Sequence, residues 1–130
     1  MARNRFVTPE VVRLTLSQGD WIDVKKELNA GEERRFFTDL VKVMHAGERA
    51  ELQPDRVGKT QMLAYIVGWS FRGHDDKPVP FSEAALDNLD QDSYTEIFEA
   101  IDKHVEGVDR ARTLRKNAQD TSMASSATSA

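Results

Sequence analysis

Apolar and polar residues alternate twice near the start of the chain, over residues 11–16 and again over residues 21–25. A period of two is typical of a β-strand that buries one face. The segment between them, Ser17-Gln18-Gly19-Asp20, is rich in turn-forming residues. We therefore predict an antiparallel β-hairpin over residues 11–25.

Hydrophobic matching indicates how the two strands pair. A two-residue loop at Gln18-Gly19 would set apolar positions of one strand opposite charged positions of the other. A three-residue loop that includes Asp20 sets Leu16 opposite Ile22 instead. Because a slip of one residue turns every side chain to the opposite face, the need to bury one face favours the longer loop.

Four later stretches place apolar residues three and four positions apart, which predicts amphipathic helices. They cover the residue ranges 29–46, 58–68, 83–89 and 93–106. Ser82 and Ser93 are suitable N-caps for the last two helices, and Gly107 is suited to end the fourth. After Gly68, the segment Trp69-Ser70-Phe71 either runs extended or continues the second helix for a turn.

The two ends of the chain lack such periodicity. Residues 1–10 predict an N-terminal arm, and residues 117–130, which are rich in Ser, Ala and Thr, predict a disordered tail. Residues 11–116 then form a single domain, as expected for a chain of 130 residues. The fold class that we predict is α+β, with an N-terminal antiparallel β-hairpin followed by about four helices.

The composition narrows the classes of function. The formal net charge is −4, which disfavours nonspecific binding to nucleic acid because such binding relies on Lys and Arg replacing counterions. The absence of cysteine excludes disulfides and thiolate metal sites. No apolar run approaches the roughly 20 residues of a membrane helix, so we expect a cytoplasmic protein.

Three short motifs suggest chemistry, and each has a simpler explanation. Gly58-Lys59-Thr60 matches the end of a phosphate-binding loop, but Gln53 stands where that loop needs a glycine, so a helix start is favoured. His74-Asp75-Asp76 offers metal ligands, but such a cluster is more typical of a turn. A basic run is more typical of a solvated helix end than of a phosphate-binding surface. The run contains Arg110, Arg112, Arg115 and Lys116. We expect no metal and no cofactor.

The aromatic residues divide into two groups. Trp69, Phe71 and Phe81 are expected to lie in the core, and the alternative for them is an exposed binding surface. Trp21 falls at the turn end of the predicted hairpin. An exposed tryptophan there is a candidate anchor for a partner, since aromatic residues dominate binding hot spots.

Three stretches of the chain carry a family resemblance. In VRLTLSQGDWIDVKKELNAGEERR, two strands flank a Gly-Asp-Trp turn and precede a helix rich in acidic and basic residues. A mid-chain helix ends in GWSF, and KPVPFSEAALDNLD is followed by YTEIFEAIDKHVE. Over roughly Val11 to Val105, the chain resembles the tail assembly chaperones of long-tailed bacteriophages. None of these motifs is a catalytic signature.

The resemblance implies a small, helix-rich, self-associating protein that is not an enzyme. Proteins of this group act in the host cytoplasm while phage tails form, and they bind the tape measure protein and tail tube subunits. We expect no nucleic acid, membrane or small-molecule substrate as partner. Trp21, Glu33 and Arg34 are the candidate partner-binding residues. The alternative is a virion structural protein, such as a head–tail connector or a minor tail component.

Overall fold

A computed structural model describes the backbone of residues 4–46 and 54–128 and the side chains of residues 4–43 and 57–118. The described part has an α+β fold, as predicted, with one antiparallel sheet and four α-helices. In chain order, its elements are β1 (Val11–Thr15), a 3₁₀ turn (Ser17–Gly19), β2 (Trp21–Lys25), α1 (Ala30–Ala46), α2 (Pro54–Tyr65), β3 (Ile66–Trp69), α3 (Glu83–Asp87) and α4 (Gln91–Thr128).

The hairpin of β1 and β2 lies where the alternation predicts it, but its strands pair in a different register. Leu14, not Leu16, lies opposite Ile22. The Leu16 N–H donates to the Asp20 carbonyl at 2.8 Å, which excludes Asp20 from the loop. The turn closes one residue earlier because Gln18 and Gly19 both adopt positive φ angles, 58° and 81°. Each β1 residue is therefore paired with a β2 residue two positions earlier than predicted. A shift of two residues keeps the same side chains facing the core.

Strand β3 replaces the predicted end of the second helix. Ile66 lies opposite Val24 and Trp69 lies opposite Ile22, so β3 extends the sheet on the far side of β2. The helical prediction for residues 66–68 is therefore wrong. Of the two alternatives for the segment after Gly68, the extended one is found. A short apolar run such as Ile66–Trp69 suits a buried strand as well as a helix, and pairing with β2 decides between them.

Helix α2 begins at Pro54 instead of at residue 58. Proline suits a helix start because the first N–H groups of a helix have no partner within it. Residues 47–53, which precede α2, lie outside the described part of the chain.

Helix α4 differs from its prediction at both ends. It begins at Gln91, and Asp90 caps it by accepting the Ser93 N–H at 2.8 Å, so Ser93 is not the cap. That hydrogen bond also lowers the pKa of the Asp90 carboxyl. Gly107 does not end the helix, whose backbone continues through the region of the predicted tail to Thr128. Residues 129 and 130 lie outside the described backbone.

The core fills the space between the sheet and the helices. Six side chains are almost completely buried there: Ile22, Val24, Met62, Leu86, Ile97 and Ile101. As expected, Trp69, Phe71 and Phe81 pack against this core as one aromatic group, with Trp69 centred 5.0 Å from Phe71 and 5.1 Å from Phe81. The Trp69 indole N–H donates to the Val79 carbonyl at 2.6 Å, which satisfies the polar end of this side chain.

The predicted N-cap of α3 is confirmed, and α1 begins with a capping box. Ser82 accepts the Ala85 N–H at 3.0 Å at the start of α3. Asn29 and Glu32 form a capping box before α1, with each side chain accepting the other residue's N–H, at 2.8 and 3.1 Å. No described helix is long and apolar enough to cross a membrane.

Candidate partner-binding surface

Strand β1 has a neighbour on one side only within the described residues, because the sheet order is β1-β2-β3. The Leu16 N–H bonds to Asp20 and the Lys26 N–H bonds to Glu10, which fixes the even-numbered residues of β1 as those that bond to β2. The N–H and C=O groups of Val11, Arg13 and Thr15 therefore point away from β2. We call this row of backbone groups the β1 edge.

The side chains of the same three residues lie on the outer face of the sheet, opposite the core. Val11 is 55% exposed, and Arg13 and Thr15 are also exposed. Arg13 forms two hydrogen bonds to the Asp23 carboxylate, at 2.9 and 3.2 Å, across the strand pair. The hydrogen bond raises the pKa of the Arg13 guanidinium. The β1 edge is thus bordered by one apolar, one ionic and one hydroxyl side chain.

Trp21, the first candidate contact, begins β2 opposite Thr15 and is half-buried. The Arg13 guanidinium carbon lies 3.6 Å from the centroid of the Trp21 ring, a cation–π contact that covers one face of the indole. The Trp21 N–H donates to the Ser70 hydroxyl at 2.9 Å, and its C=O accepts the Ser70 N–H at 3.0 Å. Trp21 is therefore held in place on the outer face of the sheet.

Glu33 and Arg34, the other two candidates, lie in the first turns of α1 and differ in environment. Glu33 pairs with Arg112 of α4. Arg34 is exposed, and its guanidinium has no ion-pair partner among the described side chains. They do not join Trp21 in one site, because Trp21 and Lys25 are about 13 Å apart along β2 and α1 begins beyond Lys25.

A cavity of about 690 Å³ opens between α1 and α4, with α2 as its floor. We call it the α1–α4 groove. Its apolar lining consists mainly of Leu28, Phe36, Phe37, Tyr65 and Val105. Burial raises the pKa of the Tyr65 hydroxyl. Gln61 also lines the groove, and its buried amide nitrogen has no hydrogen-bond partner among the described residues.

The residues of the apparent phosphate-loop motif have structural roles. Gly58 lies inside α2, not in a loop before it, and packs against the ring of Phe98. Lys59 forms ion pairs with Glu83 at 3.0 Å and with Asp87 at 2.9 Å, and the bond to Asp87 is the main cause of its raised pKa. The phosphate-loop interpretation is therefore contradicted.

The other two motifs are also accounted for by local contacts. Asp75 and its neighbours form a turn in which Asp75 accepts the Lys77 N–H at 3.2 Å. No group of three or more potential ligands is assembled among the described residues. Of the basic run, Arg112 pairs with Glu33 and Glu27, and Arg115 pairs with Glu27 at 3.4 Å.

No protein-family model, curated protein or solved structure matches the chain. The residues themselves are therefore the basis for inferring its function. Sequence reasoning missed the Arg13–Asp23 pair, because the predicted register sets Arg13 opposite Lys25. It also missed the α1–α4 groove, whose walls come from three separate elements. Alternation along β1 was the available signal for the outward position of Arg13.

Proposed function

We propose that this chain is a non-enzymatic tail assembly chaperone of a long-tailed bacteriophage. In the host cytoplasm it would hold tape measure protein, tail tube subunits or both until they assemble. The resemblance of residues 11–105 to that family supports this proposal. The observation that carries it is the β1 edge, a five-residue row with three outward-pointing backbone positions.

An edge strand binds another polypeptide by strand addition. Unpaired N–H and C=O groups on the edge form main-chain hydrogen bonds with an extended segment, and side chains beside the edge add specificity. At the β1 edge, Val11 offers apolar contact, while the half-buried Trp21 ring lies on the same face. A subunit that awaits assembly exposes edges and apolar surface of its own, which binding of this kind would shield.

The test removes one outward N–H group and leaves the fold intact. Thr15→Pro deletes a donor that points away from β2, so it costs no hydrogen bond of the hairpin. The matched control, Thr15→Val, keeps the donor and the strand propensity. Each variant is co-expressed with the tape measure protein from the same genome, and the soluble fraction of that protein is measured.

We expect the wild-type chain and Thr15→Val to raise tape measure solubility to the same extent, and Thr15→Pro to lose most of this effect. Circular dichroism of each purified variant checks that the fold is retained. No change in tape measure solubility with the wild-type chain would contradict the chaperone role. A stoichiometric copy in purified virions, measured by mass spectrometry, would favour the structural alternative, a head–tail connector or minor tail component.

A further inference from the structure

The α1–α4 groove combines a cavity with a projecting aromatic ring. Phe37 lies on its α1 wall and is 65% exposed, whereas the neighbouring Phe36 packs against the core. Removing the apolar area of this phenylalanine from water would contribute favourable free energy. Phe37 is therefore suited to be covered by another polypeptide. The cavity beside it has an apolar lining, so the same surface contains an exposed aromatic side chain and a cavity that could bind one.

Four charged side chains line the groove, and two of them form an ion pair with each other. Glu33 and Arg112 face each other across it and already form an ion pair. Two further charged residues line it: Arg34 on the α1 wall and Asp109 on the α4 wall. Neither of these side chains has an ion-pair partner among the described residues. One positive and one negative group therefore remain unpaired on opposite walls.

A surface of this kind is complementary to itself. In a two-fold symmetric dimer, the same patch on each subunit meets its own copy, so each feature needs its counterpart within that patch. Here the exposed Phe37 ring of one copy fits the cavity of the other. Arg34 of one copy likewise has Asp109 of the other as a partner of opposite charge. We propose that a second copy of this chain docks on the α1–α4 groove, with Phe37 of each copy in the groove of the other and Arg34 of each copy beside Asp109 of the other.

The family resemblance implies self-association without a location, and this proposal assigns it to a surface distinct from the β1 edge. The groove is formed by α1, α2 and α4, whereas the proposed partner strand adds to β1. Thr15→Pro should therefore leave the dimer unchanged. A Phe37 variant that is monomeric but still solubilises the tape measure protein would separate the two functions.

The first test is sedimentation equilibrium of the full chain. We expect the wild type to have the mass of a dimer at micromolar concentration and Phe37→Asp to have the mass of a monomer. Leu114→Asp is the matched control, because Leu114 is an apolar α4 residue with 64% exposure that does not line the groove. This control should remain dimeric. A monomeric wild type, an unaffected Phe37→Asp variant or a monomeric Leu114→Asp variant would each overturn the proposal.

The second test uses charge exchange to examine the symmetry. Arg34→Asp alone places two acidic groups together at both contacts, and Asp109→Arg alone places two basic groups together. Each variant should weaken its own dimer by about tenfold or more, because like charges at an interface are repelled. Mixed in equal amounts, the two variants should recover the affinity of the wild type, since both contacts of the mixed dimer then join opposite charges. A mixture that stays as weak as its components would contradict the two-fold arrangement, and recovered binding would support it.

Discussion

Gly58 shows how one missing side chain permits close helix packing. It is a buried residue of α2, and a Cβ atom added there would overlap the ring of Phe98 on α4. We expect Gly58→Ala to lower the free energy of unfolding by about 1–3 kcal/mol, because the ring or the helix must move to admit the methyl group. Urea denaturation measures this loss.

A second helical glycine supplies the control. Gly107 is exposed within α4, and an added Cβ would meet nothing within 4 Å. Gly107→Ala should therefore raise the free energy of unfolding by about 0.5–1 kcal/mol, since alanine is the better helix former. Equal stabilisation by Gly58→Ala would show that the Gly58 contact is not restrictive. Phe98→Leu should relieve the loss in the double variant.

Arg13 combines two contacts that a lysine would not reproduce. Its guanidinium binds both carboxylate oxygens of Asp23 and also covers the face of Trp21. A planar, forked cation can satisfy a carboxylate and stack on an aromatic ring with one side chain, whereas an ammonium group acts as a point charge. A charge beside an open edge also discourages indiscriminate strand pairing. We therefore expect the β1 edge to pair with particular partner strands and not with any exposed strand.

The hairpin register is open to a covalent test, because the chain contains no cysteine. Val11 and Lys25 are directly opposite each other at a position without mutual hydrogen bonds, where Cα atoms are about 4.5 Å apart. That separation suits a disulfide. We expect the variant Val11→Cys/Lys25→Cys to form an intramolecular disulfide in mild oxidant, detected as the loss of two free thiols by mass spectrometry.

The register that hydrophobic matching predicted provides the control pair. It would set Val11 opposite Glu27, two residues further along the chain. Val11→Cys/Glu27→Cys should therefore remain reduced under the same conditions or form only intermolecular disulfides. Faster intramolecular closure of this pair than of the Val11/Lys25 pair would refute the observed register.

The difference between the two registers shows which information the sequence of a hairpin contains. Alternation determines which face is buried, and both registers bury the same face because they differ by two residues. The distinction depends on Gln18, whose positive φ is unusual for a residue other than glycine. No side-chain pattern indicates that conformation. The faces were therefore predictable from the sequence, whereas the exact pairing was not.

Tertiary contacts decide the other boundaries. Residues 66–69 have an apolar pattern that is compatible with helix or strand, and only the adjacent edge of β2 selects the strand. Local sequence patterns also do not predict the tertiary contacts of the candidate partner-binding residues. Trp21 was placed correctly in the hairpin, but no local pattern predicts that Arg13 covers its ring or that Glu33 pairs with a residue 79 positions later.

Arg112 joins helix α4 to the segment between β2 and α1. The Arg112 guanidinium pairs with Glu33, donates to the Leu28 carbonyl at 3.2 Å and lies 3.9 Å from Glu27. Burial alone would lower the pKa of Arg112, but the hydrogen bond with Glu33 and the charges of Glu33, Tyr65 and Glu27 together outweigh burial and raise this pKa. One side chain thus holds the α4 wall of the groove against the α1 wall.

This arrangement predicts that the part of α4 after Gly107 depends on Arg112 for its attachment. In Arg112→Ala, the Leu28 carbonyl and the Glu33 carboxylate lose their partner, and we expect faster amide hydrogen exchange over residues 107–116. Exchange around the buried Ile97 and Ile101 should change little, because those residues are anchored by the core. Hydrogen exchange with mass spectrometry resolves the two segments.

Arg110 offers a matched control on the same helix. It is exposed and has no ion-pair partner among the described side chains, so Arg110→Ala removes an equal charge without removing a bridge. Exchange in this variant should match the wild type. Because the groove needs both of its walls, Arg112→Ala should also weaken the proposed dimer while Arg110→Ala should not. Uniformly faster exchange along the whole of α4 in Arg112→Ala would instead mean that the helix is attached as one unit and that Arg112 has no local role.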